Sequence, residues 1–119
     1  MASDINIKKG NPYSATITIT DSDGAAYSLV GKTVFFTVKH LSDTADNDTS
    51  AIITKNITVH TDALGGITTL SLTAAQTNQV TGQYKYDFRI YWESESVVYK
   101  INSDTGFCYI TDIVTKRTT

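Results

Sequence analysis

Disulfide stabilisation is excluded at the outset, because Cys108 is the only cysteine among 119 residues. One thiol can neither close an intrachain bridge nor supply a metal site built on several thiolates, so stability must come from packing and strand pairing. Long apolar runs are also missing. Nothing approaches membrane-spanning length, and the start of the chain, Met1 to Lys9, lacks the continuous apolar stretch of a signal peptide. The expectation is a protein made soluble in a cytoplasm, with no membrane partner. Positive charge is scarce as well: 10 basic against 12 acidic side chains leave a formal charge of -2. Without a broad positive field to displace the counterions of a phosphate backbone, nucleic acid is disfavoured as a partner. No glycine-rich loop leads into a helix, so a nucleotide site has no support. The sequons Asn47-Asp48-Thr49 and Asn56-Ile57-Thr58 read as chance matches to a short pattern that needs a secretory route to matter.

What the chain does have is alternation. Apolar residues make up 40% of it, dominated by the Val, Ile, Tyr and Phe that pack well on a pleated surface. Ile5 and Ile7 alternate with polar residues before the turn-rich Lys8 to Pro12, which predicts either a short first strand or an arm over residues 1–12. Tyr13, Ala15, Ile17 and Ile19 alternate with Ser14, Thr16, Thr18 and Thr20, the period-two signature of a sheet with one buried face. The same pattern recurs over Thr33 to Lys39, Ala51 to His60, Ile67 to Thr73, Gln83 to Trp92, Val97 to Ile101 and Phe107 to Ile110. Asp112 to Thr115 is expected to complete the last strand, and residues 116–119 to form a tail. Lys55 interrupts an otherwise apolar row, which points to a sheet edge or to a stem that covers apolar surface while its amine stays in water. Ala74 to Asn78 has room for one helical turn, a plug over one end of a core. Short strands separated by turns, without long crossover helices, predict an all-β, antiparallel β-sandwich of about seven or eight strands over residues 13–115, with a small open barrel as the alternative.

Residues that could carry chemistry are few. His40 and His60 end two strands and could be neighbours, but no third group specifies a catalytic triad. Cys108, between Phe107 and Tyr109, reads as a packed structural thiol. Asp43, Asp46, Asn47 and Asp48 form an acidic loop, yet the spacing lacks the central glycine and terminal glutamate of a calcium loop. Glu93 and Glu95 fall in a polar turn, where solubility accounts for them. The expectation is no enzyme, no metal and no cofactor. Four aromatics stand out as interface candidates. Phe35 lies on the polar parity of its strand, and Tyr91, Trp92 and Tyr99 fall around one hairpin. Phe35 could belong to an interface or lie beneath a loop; the other three could grip a protein, stack on a sugar or pack across neighbouring strands.

The order of the motifs carries more than any one of them. Ile19-Thr20-Asp21-Ser22-Asp23-Gly24, Tyr27 to Val34 with Gly31 inside it, Leu72 to Thr77, Gly82-Gln83-Tyr84-Lys85-Tyr86-Asp87-Phe88 and Thr105 to Ile110 follow one another along the chain. In this order they resemble the amino-terminal domain family of phage upper baseplate proteins and related immunoglobulin-like domains of other phage virion proteins, over roughly Ile7 to Thr115. The resemblance implies an immunoglobulin-like sandwich that attaches to a virion by docking to other virion proteins, as an adaptor, decoration or baseplate and tail accessory subunit. Self-association into a homo-oligomer fits that role. Recognition of a receptor or glycan is the alternative. Asp21, Asp23, Gly24 and Gly31 match its turn positions, and Gly82, Tyr84, Tyr86, Asp87 and Phe88 its central strand, so all of these are expected to build the sandwich. The family implies no catalytic residue.

Overall fold

The computed structural model describes residues 4–21, 23–44, 47–92, 97–100 and 106–112, with Trp92 and 97–100 described by their backbone alone. The elements, in order, are β1 (Ile5–Lys8), β2 (Tyr13–Thr18), β3 (Thr33–His40), β4 (Ile53–Ile57), β5 (Ile67–Leu72), α1 (Ala74–Thr77), β6 (Gly82–Trp92), β7 (Val97–Lys100) and β8 (Gly106–Thr111). The strand suggested for Asp112 to Thr115 and the tail at 116–119 fall largely outside the described residues. The all-β prediction holds. One sheet runs β1-β8-β6-β3-β4, with β7 also on β6, and a second contains β2 and β5. β7 covers Arg89 to Trp92 and β8 covers Gly82 to Tyr86.

The antiparallel expectation needs one correction: β1 runs parallel to β8, with Ile5 opposite Cys108 and Ile7 opposite Ile110. Alternation reports which face of a strand is buried and says nothing of its neighbour's direction. Ile5 and Ile7 bury their side chains in either case. The large sheet is therefore mixed.

Both sheets turn apolar rows onto one core. Val34, Phe36 and Val38 from β3, Leu70 and Leu72 from β5, Tyr84, Tyr86 and Ile90 from β6, and Cys108 and Ile110 from β8 are all buried there. Phe36 is wholly inaccessible, with its ring centroid 5.8 Å from Tyr86 and 5.0 Å from Phe88. Lys55 lies on β4, the terminal strand of its sheet, where its half-buried stem covers apolar surface. The strand predicted for Ala51 to His60 is shorter than its alternation suggested, and Val59 beyond its end is 85% exposed.

The predicted helical turn is present. Thr73 caps α1 by accepting from the Gln76 N–H at 3.2 Å, and the Gln76 side chain returns the contact to the Thr73 N–H at 2.9 Å. The buried Thr77 hydroxyl donates to the Asn11 carbonyl at 2.7 Å, fastening the helix to the link between β1 and β2. Asp21 organises the first turn: its Oδ1 accepts from the N–H groups of Asp23 and Ala25, while Gly24 takes φ 82°.

Candidate functional site

The side of β3 and β6 that faces away from the core carries Thr33, Phe35, Thr37 and Lys39 beside Lys85, Asp87, Arg89 and Tyr91. Register sets Phe35 between Arg89 on β6 and Asn56 on β4, and Tyr91 opposite Thr33. The Phe35 and Tyr91 rings meet diagonally, centroids 6.0 Å apart and tilted by 36°. Both remain half-buried, with Arg89 and Asn56 exposed beside them. Two of the four aromatic candidates are thus brought together on one face. For the other two, register gives Trp92 opposite Val97 and Tyr99 opposite Ile90; their side chains lie outside the described residues.

Below this pair, β3 and β6 place Lys39 directly opposite Lys85. Like charges so placed repel, and the acidic loop between β3 and β4 answers them. Lys39 Nζ lies 2.8 Å from the Asn47 carbonyl and 3.1 Å from Asp48 Oδ1, and Lys85 Nζ donates to the Asp43 carbonyl. The Asp48 carboxylate and the Asp43 and Asn47 backbone carbonyls of that loop thus serve ammonium groups of the sheet itself, a pairing that alternation along separate strands does not disclose. Among the described residues, no three His, Cys, Asp or Glu side chains gather to hold a metal.

The histidines do not meet. His40 is the last residue of β3, exposed with its ring 5.3 Å from that of Tyr84. His60, beyond the end of β4, lies beside the start of β3, where Nε2 is 2.7 Å from the Lys32 carbonyl and Nδ1 is 2.9 Å from the Thr68 hydroxyl. A carbonyl only accepts, so neutral His60 carries its proton on Nε2 and takes the Thr68 proton on Nδ1. That bond satisfies a fully buried hydroxyl.

Cys108 is wholly buried, and burial pushes its thiol from 9.0 up to about 11. The folded state then keeps a proton that the unfolded chain releases. Stability contributed here is intact below pH 9 and is lost as pH climbs from about 9 to about 11, by about 2–3 kcal/mol in full. Denaturant titrations across that range are expected to show the decline in the native protein and a flatter profile in Cys108→Ala. Thiol reagents at neutral pH are expected to label only unfolded protein.

Gly31 takes φ 71° in the turn that Lys32 N–H closes on the Leu29 carbonyl at 3.0 Å. Gly82 begins β6 opposite Ile110, and Asp87 lies opposite Thr37 on the outer face. The Tyr84 hydroxyl donates to the Val80 carbonyl, four residues back. Tyr86 is buried and Phe88 half-buried beneath Phe36. No protein-family model matches this chain, and no curated protein matches it.

Proposed function

We propose that this chain is a non-enzymatic structural subunit of a phage virion, an adaptor, decoration or baseplate and tail accessory protein. It docks to other virion proteins through the outer face of its large sheet. The observation that carries the docking reading is the Phe35–Tyr91 pair: two large rings in tilted contact on a polar row, left half-exposed and flanked by Arg89. Aromatic and arginine side chains together are the composition of interface anchors. The virion assignment rests on motif order.

Two further features support an immunoglobulin-like form of the sandwich. The Tyr84 hydroxyl returns to the Val80 carbonyl at the start of β6 just after α1, the arrangement of a tyrosine corner. The two sheets also divide their strands as such a sandwich does, with β2 and β5 facing a sheet centred on β6 and β3. A virion location follows from this reading, as does repetition of a modest contact around a symmetric particle.

Locating the protein in an intact particle by electron microscopy tests the assignment directly. The double variant Phe35→Ala, Tyr91→Ala is expected to lower its incorporation into particles by about tenfold or more, with near-native circular dichroism. Native incorporation of that variant would discard this face. Binding of the isolated protein to host-surface glycans, lost in the same variant, would favour receptor recognition instead.

A further inference from the structure

Neither strand of the small sheet pairs with a third strand among the described residues, and β2 is the less covered of the two. Among the described residues β2 pairs only with β5. The N–H of Ile19, just beyond β2, points to Gly66 on the β5 side at 2.8 Å. Alternation then sends the N–H and C=O groups of Ser14, Thr16 and Thr18 to the open edge. Burial tells the same story. The inward row of β5, Thr68, Leu70 and Leu72, is buried, whereas Tyr13, Ala15 and Ile17, the inward row of β2, are only half-buried.

Edges are ordinarily defended by charge. The two terminal strands of the large sheet follow that rule, β1 with Lys8 and β4 with Lys55. From Tyr13 to Thr20 there is no charged residue at all. Charge returns only at the two ends, basic at Lys8-Lys9 and acidic at Asp21 and Asp23.

We infer that β2 is a self-docking edge, which pairs antiparallel with β2 of a second copy across a two-fold axis through Thr16. The end charges select this occupant, since antiparallel pairing of identical strands lays the basic end of each copy along the acidic end of the other. A two-fold axis relating side-by-side antiparallel strands stands perpendicular to the sheet, so inward rows must share a face. Odd residues therefore oppose odd residues, and the axis passes through a single residue of the strand. The Thr16 register uses every outward-facing group from Ser14 through Thr18 in both copies. It sets Thr16 against Thr16, Ser14 against Thr18, Ala15 against Ile17 and Tyr13 against Ile19. The half-exposed row of one copy is covered by the same row of the other.

Sedimentation of the native protein over a concentration series is expected to show a monomer–dimer equilibrium. Thr16→Lys, at an exposed position, sets like charges against each other and is expected to weaken the dimer by at least about tenfold, with a thermal midpoint that matches the native protein's at concentrations where both are monomeric. Thr16→Cys, treated with oxidised glutathione, is expected to form a disulfide-linked dimer, and Thr54→Cys on the outward edge of β4 to remain monomeric. Buried Cys108 does not compete. A native protein that stays monomeric at every concentration, or a dimer that Thr16→Lys leaves intact, would overturn the inference. Because β2 and the Phe35–Tyr91 pair lie on different sheets, either result leaves the particle-docking reading to its own test.

Discussion

Phe36→Ala is expected to lower the free energy of unfolding by about 3–5 kcal/mol, the range for truncating a buried phenylalanine. Phe36 sits on the central pair of the large sheet, opposite Phe88 on β6 and Lys55 on β4. Its ring is wholly buried against Tyr86 and Phe88. Removing it leaves a void lined by rings whose strands are paired on both sides, so the site cannot collapse to fill it. Most of a domain's net stability is of the same size. The thermal midpoint is expected to fall by roughly 10–20 °C, and Phe36→Leu by much less. A small loss in Phe36→Ala, read by calorimetry, would mean that this part of the core is looser than its packing implies.

Gly66→Ala is the second large effect, and it acts through the backbone. Gly66 takes φ 71°, a conformation that strains any residue with a Cβ by about 1–3 kcal/mol. Space is also denied: an added Cβ would come within 2.6 Å of the Tyr27 carbonyl oxygen and 2.5 Å of that of Ile19. Those atoms are held in place, since Ile19 N–H donates to the Gly66 carbonyl at 2.8 Å and Tyr27 N–H to the Ile19 carbonyl at 3.0 Å. Overpacking of this kind adds about 1–3 kcal/mol, so the expected total is about 3 kcal/mol or more. Gly24→Ala makes the control. Gly24 also has positive φ, but nothing lies within 4 Å of its would-be Cβ, so only the conformational part should be lost. Equal midpoints for the two variants in urea would refute the steric part of the argument.

Much of this architecture was legible in the sequence because face alternation is a local property. Tyr84, Tyr86 and Ile90 announced the buried side of β6, Leu70 and Leu72 that of β5, and Lys55 the edge of a sheet. Pairing is not local. Nothing around Ile5 indicated that it would lie beside Cys108, or in which direction. The same gap separates candidate from site. Phe35 was visible as an aromatic out of phase, whereas its contact with Tyr91 exists only once β3 and β6 are in register. His40 and His60 looked interchangeable as strand ends, yet β3 holds them apart. The acidic loop carried a cation-binding composition, and its cations proved to be Lys39 and Lys85, brought side by side by the β3–β6 register.

The parallel pairing of β1 with β8 sets an order on synthesis. A ribosome releases Ile5–Lys8 long before Gly106–Thr111, so β1 has no seat until β8 has been made. Ile5 and Ile7 must wait uncovered meanwhile, the exposure that chaperones attend to in nascent chains. Closure between such distant segments carries a large loop entropy, and folding on the slow side of its size class is the expected signature.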